Sequence, residues 1–272
     1  MNVIDPVDEQ SAGLCRALRP VLATALIRDP AAAARLGVDA ILPAVVALRA
    51  VQRAPQTRGR HDLLHRRCRV LPAVGADTAT GAATVRVTER AGWQLVRARI
   101  EVGPSRAGRR WPGGAVVVHD LARRLDDDAP TGAAPLRTPV PAPSAGRTPD
   151  RGARPPGAGR AVRIGALDVA AWAEAGGDRG RVHTLPGAAR AAGLRAGADD
   201  VVAHGLLLAA VSLALVPAGS GAVDARMPAP LPVPAAGAAA VRRPDAAPSV
   251  CVLLDGRTGE LTAGGRCVLR RR

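Results

Sequence analysis

Phenylalanine and tyrosine are absent from this sequence, tryptophan occurs only three times, and no lysine stands anywhere in it. Without Tyr or Phe rings there is little to stack on unpaired bases. The core must be built from aliphatic side chains, and 47% of the 272 residues are hydrophobic, enough for one large domain or two of roughly 130 residues. The lack of Lys places all the positive charge on Arg. A formal charge of +15 points by itself to an anionic partner such as nucleic acid. The Arg residues are spread over the whole chain, however, and with no rings for stacking this argues against nucleic acid.

Other shortages narrow the class further. Cys15, Cys68, Cys251 and Cys267 form no CxxC pair, so neither a zinc site nor a disulfide framework is indicated, and reduced cysteines in the cytoplasm are the expectation. The N-terminal stretch MNVIDPVDEQ is acidic and has no apolar centre, unlike a signal peptide. The most apolar run, Val201 to Val216, falls short of the roughly 20 residues a membrane span needs and contains His204. It reads as a buried helix, and no membrane contact is expected.

Periodicity then divides the chain. Leu14, Leu18, Leu22 and Leu26 recur every four residues, predicting an amphipathic helix over 11–28 that contains Pro20. Asp39–Gln52, interrupted by Pro43, predicts a second, buried helix. The stretches LLHRRCRVL, ATVRVTE and WQLVRARIEV alternate with period two, as half-buried strands do, and a fourth strand is expected over Ala115–His119. Residues 126–160 are dense in Pro and Gly and cannot bury enough surface to fold, so they are expected to connect two units, 1–125 and 161–272.

The second unit repeats the outline. A strand is expected at Ala161–Ile164, helices at Leu167–Ala175, Pro186–Ala192 and Val202–Leu215, and strands at Ala222–Met227, Ala238–Arg243, Ser249–Leu254 and Glu260–Leu269. Helix followed by antiparallel meander, twice over, is an α+β arrangement.

Between the helices lies the stretch with chemistry in it. Asp178 and His183 stand five residues apart in a glycine-containing loop, and His204-Gly205 opens the main helix about twenty residues later. The Asp–His spacing alone is weakly diagnostic, because Asp199 also stands five residues before His204. The order of parts carries more: short helix, GD-x-x-x-x-H loop, small-residue stretch, then AHG starting a buried helix. In that order the chain resembles the MaoC-like (R)-specific enoyl hydratases and 3-hydroxyacyl-thioester dehydratases, whose motif reads roughly GDxNPxH and later AHG.

The resemblance implies a double hotdog, two antiparallel sheets each curled round a central helix, with the catalytic motif in 161–272 and a non-catalytic first unit. It implies reversible addition of water to a trans-2-enoyl thioester in fatty-acid or polyketide metabolism, with Asp178 and His183 as the catalytic pair. An imidazole titrating near neutrality can take and return the proton while the carboxylate orients it or the water. Gly205 would donate its N–H to the developing oxyanion, with His204 beside it structural or facing substrate. No cofactor and no metal are implied. The basic rim suits the phosphates of coenzyme A or the acidic face of an acyl carrier protein, and the assembly would be a monomeric double hotdog or a homo- or heterodimer.

The chain departs from the motif where Gly180 and Arg181 replace its Asn and Pro, removing a side-chain hydrogen-bonding group and loosening the loop. These departures point toward weakened activity, and two alternatives stay open. One is an inactive hotdog subunit that binds acyl thioesters or pairs with an active partner. The other is a basic nucleic-acid-binding protein.

Overall fold

The computed structural model describes residues 6–57, 63–73, 83–104, 110–125, 159–178, 180–219, 221–235 and 248–272. Nearly all of the expected connector, and the strand expected over Ala238–Arg243, lie outside the described residues.

The first half opens with α1 (Pro6–Ala23) and α2 (Pro30–Arg53). Asp29 caps α2 by accepting from the Ala32 amide at 2.8 Å, and Pro30 fits the first turn, where no N–H is needed. By length and composition α2 could cross a membrane. Its apolar face, from Val38 to Val51, is instead buried inside the protein. Four strands follow: β1 (Leu64–Pro72), β2 (Ala83–Arg90), β3 (Trp93–Val102) and β4 (Ala115–Arg124). Alternation along β3 buries Val96, Ala98 and Ile100 and leaves Arg97 and Arg99 outside. The turn between β2 and β3 needs a left-handed backbone, supplied by Ala91 and Gly92.

The second half begins with β5 (Arg160–Gly165), α3 (Ala166–Gly176), the single turns α4 (Arg181–Thr184) and α5 (Ala188–Ala191), and β6 (Asp200–Val202). Next comes α6 (Gly205–Leu215), buried from Gly205 to Ala214. The strands β7 (Val223–Arg226), β8 (Pro232–Pro234), β9 (Ser249–Leu254), β10 (Leu261–Ala263) and β11 (Arg266–Arg271) complete the chain.

Among the described residues one nine-stranded antiparallel sheet runs β2-β3-β4-β1-β7-β11-β10-β9-β5. The halves meet where β1 pairs with β7, Val70 opposite Val223 and Arg67 opposite Arg226. Arg67 bridges the joint, its Nε donating to Asp224 Oδ1 at 2.8 Å. α2 packs on β1, β3 and β4, and α6 packs on β1 and β11. This is the expected α+β class, two hotdog units in one chain. The two helices also cross each other tightly: a Cβ added to Gly37 would lie 2.4 Å from the Ala210 carbonyl oxygen. Only glycine allows that approach.

Several boundaries differ from expectation: α2 begins at Pro30, not Asp39, and β4 runs past His119 to Arg124. The main helix starts at Gly205, not Val202, because Val201 and Val202 extend to pair with Val233 and Pro232 of β8. The strand expected over Glu260–Leu269 is the β10/β11 hairpin, turning at Gly264 and Gly265, both left-handed. The first helix begins at Pro6 and ends at Ala23 rather than spanning 11–28.

Candidate active site

α3 ends on Gly177, whose φ of 70° closes a left-handed cap: Gly177 N–H donates to Glu174 O and Asp178 N–H to Ala173 O. A Cβ on Gly177 would lie 2.8 Å from the Arg49 guanidinium, which would have to move aside, while the left-handed backbone itself favours glycine here. The cap turns the chain back toward α2 and carries Asp178 with it. One residue past Gly180 the chain winds into α4, burying Val182 and His183. His204 caps the start of α6 and Gly205 is that helix's first residue.

Asp178 is the hub of the arrangement. Its Oδ1 accepts from Gln52 Nε2 at 2.9 Å and from the Gly180 amide at 3.3 Å, while its Oδ2 lies 3.3 Å from His204 Nδ1. The His204 ring stacks on His183, centroids 3.7 Å apart and planes at 25°. His183 Nδ1 lies 2.7 Å from the Val202 carbonyl. A carbonyl only accepts, so Nδ1 carries the proton and Nε2 is a bare lone pair. The structure thus gathers all four residues singled out by sequence, with Asp178 in direct contact with His204. Gln52, from the C-terminal turn of α2, is a participant that no sequence motif marks; its one signal is a polar side chain closing an apolar helix.

Electrostatics divides the roles. Burial, with His204 nearby, pushes the His183 pKa down to about 3 against the weaker pull of Asp178 and the Val202 carbonyl. Burial would raise Asp178, but the hydrogen bond from His204 and the surrounding imidazoles of His204, His183 and His65 outweigh it and hold the carboxyl below the usual carboxylate range. At neutral pH the site contains an ionised Asp178 beside a neutral His183.

His183 and Gly205 share a cavity of ≈ 130 Å³ with His65, Leu208, Met227 and Leu231. That is room for several waters, each needing ~10–15 Å³. A Cβ on Gly205 would stand 2.9 Å from His65 Cβ and 3.0 Å from Met227 Cγ, so a larger residue would close the approach to the helix's first turn. Amides there lack an intrahelical acceptor and sit at the positive end of the helix dipole, which suits a developing oxyanion.

Asp178, His183 and His204 also offer the donor types of a metal site, with one ligand atom of each within 4.8 Å of the others. Coordination at about 2.1 Å needs converging lone pairs. Rings stacked nearly parallel aim their lone pairs side by side, and His204 Nδ1 is turned to Asp178. The geometry fits proton transfer better than metal binding.

No family model matches the chain, and no curated protein matches it. Solved structures do. A protein described as a MaoC-like dehydratase superposes with a TM-score of 0.50 at 18% identity, over 97% of this chain and 92% of its own. HtdX of Mycobacterium tuberculosis follows at TM-score 0.48 and 17% identity, over 96% of this chain and 93% of its own. A MaoC-like dehydratase from Phytophthora capsici gives TM-score 0.48 and 12% identity, over 94% and 89%. The first of these likenesses shows that the chain has the fold of a MaoC-like dehydratase across both halves.

Proposed function

We propose that this protein is a cytoplasmic hydro-lyase that adds water reversibly to trans-2-enoyl thioesters of coenzyme A or an acyl carrier protein, in fatty-acid or polyketide metabolism. The observation that carries the reading is His183: neutral, its tautomer fixed by Val202, its Nε2 bare, in one cavity with the start of α6. Water bound there loses a proton to Nε2 as its oxygen bonds to carbon 3. The electron pair moves to the thioester oxygen, which the Gly205 amide stabilises as an enolate. The enolate collapses and takes the proton back at carbon 2, so the elements of water are added and the site is regenerated. Asp178 steadies the imidazolium formed on the way, directly by charge and through His204.

An acyl-binding subunit without activity draws its support from Gly180 and Arg181 in the motif. Against it stands the Gln52 amide, which donates to the same carboxylate from the other half of the chain. The test is loss of the conjugated enoyl absorbance with crotonyl-CoA and longer enoyl-CoAs. Asp178→Asn and His183→Ala should each lower turnover by roughly two to four orders of magnitude. The double variant should be little worse, since the residues act as a unit. Equal turnover in wild type and both folded variants would refute the assignment.

A further inference from the structure

The first half has no Asp-x-x-x-x-His loop, and by sequence His65 is a bystander. Yet His65 reaches the same cavity as His183 and Gly205 from β1. The β1–β4 register slips between His65 and Arg67, a local irregularity of the kind that re-aims a side chain. His65 Nε2 lies 3.2 Å from His119 Nδ1, and His119 Nε2 lies 3.0 Å from the Ala44 carbonyl of α2.

The chain of bonds has one polarity. The Ala44 oxygen can only accept, so His119 Nε2 carries a proton. Burial brings the His119 pKa down to about 4, so the ring is neutral and its Nδ1 is bare. That nitrogen accepts from His65 Nε2. Burial and neighbouring His119 likewise push His65 well below the ordinary histidine range, so its Nδ1 is also a bare acceptor. The cavity therefore meets two imidazoles whose tautomers are each set by a backbone carbonyl, one through Val202 and one through His119 to Ala44. A reacting water has two O–H bonds, and two acceptors are what it takes to fix its orientation.

We propose that His65 is a second catalytic residue, supplied by the first half: its Nδ1 accepts a hydrogen bond from the O–H that the water keeps, while His183 Nε2 removes the other proton. This rests on the hydratase reading above. The retained O–H becomes the 3-hydroxyl of the product, and no proton passes through His65. His119 is a positioning residue that holds the His65 tautomer. The same bond selects, in the dehydration direction, thioesters with a hydroxyl at carbon 3.

The test uses the full chain, crotonyl-CoA, and the variants His65→Leu and His65→Asn, with thermal melting to verify folding. Leu removes the acceptor; Asn places Oδ1 near the position of Nδ1. His65→Leu should lower kcat roughly 10- to 100-fold with KM little changed, the worth of a hydrogen bond in the transition state. His65→Asn should recover part of that loss. His65→Leu at the wild-type rate, or Asn no better than Leu, overturns the proposal and leaves the hydratase reading standing. Wild type without turnover on any enoyl thioester overturns both. Imidazole ¹⁵N shifts of the wild-type protein give a check independent of the variants: His65 should show a bare Nδ1 and a protonated Nε2, and the opposite tautomer refutes the role.

Discussion

Acidification should destabilise this protein well above the pH at which carboxylates titrate. His183 and His119 are buried and neutral, with pKa values down to about 3 and about 4. In the unfolded chain both return to about 6.5. Between those values the unfolded state takes up protons that the folded state refuses, so stability is full above pH 6.5 and is lost as pH falls. At pH 5 the deficit is about 1.5 pH units for each ring, or about 2 kcal/mol apiece at 1.36 kcal/mol per unit, together about 4 kcal/mol. Burial and neighbouring His119 shift His65 in the same direction. Set against a typical stability of about 5–15 kcal/mol, this loss is severe. Thermal melts followed by circular dichroism at constant ionic strength should show Tm falling by on the order of 10 °C between pH 7.5 and pH 5. His119→Gln removes one titrating ring and should flatten the slope by roughly 1.4 kcal/mol per pH unit. A Tm that is level or rises over this range would refute the reasoning, because it would mean that these rings are protonated in the folded protein or open to water.

Gly37→Ala gains about 1 kcal/mol in helix propensity, but its methyl group meets the Ala210 oxygen at 2.4 Å and the Ala214 Cβ at 2.9 Å, neither of which can swing aside. Overpacking at about 1–3 kcal/mol should win, lowering the urea midpoint, and a more stable variant would disprove the tight α2–α6 crossing. Gln52→Ala removes the amide that holds Asp178 Oδ1 and should cut turnover roughly 10-fold without altering the fold, as expected for a hydrogen bond to a charged group. Adding Gly180→Asn should return part of it, since Gly180 has an ordinary φ of −51° that Asn tolerates, and no recovery would separate the loop amide from the Gln52 role.

The sequence was legible where local pattern decides structure. Alternation located β1 to β3, a fourth strand was expected over the apolar run that opens β4, and the leucine spacing and apolar runs located α1, α2 and α6. It failed where tertiary context overrides pattern. The segment of Pro232 and Pro234 carried no expected element, yet it forms β8, which among the described residues pairs with the short β6 and so tolerates the prolines. The apolar run from Val201 looked helical throughout because a short buried strand and a buried helix share one composition. The Asp178 loop and the AHG step were visible as a motif. The partners were not: Gln52 lies 126 residues from Asp178 in sequence, and nothing in either segment announces the contact. His65 and His119, 54 residues apart, are likewise joined only by the sheet.

The β1–β7 joint has a consequence for how such a site can change. In a dimer of identical hotdog subunits every substitution is made twice, so a residue that helps one cavity must be tolerated in the other. Joining both units in one polypeptide removes that symmetry. Position 52 and position 178 each exist once, and a side chain can be chosen for a single job in a single place. A substitution such as glycine at 180 can then persist when an amide on the opposite unit already touches the same carboxylate, a compensation that no symmetric assembly could make on one side alone.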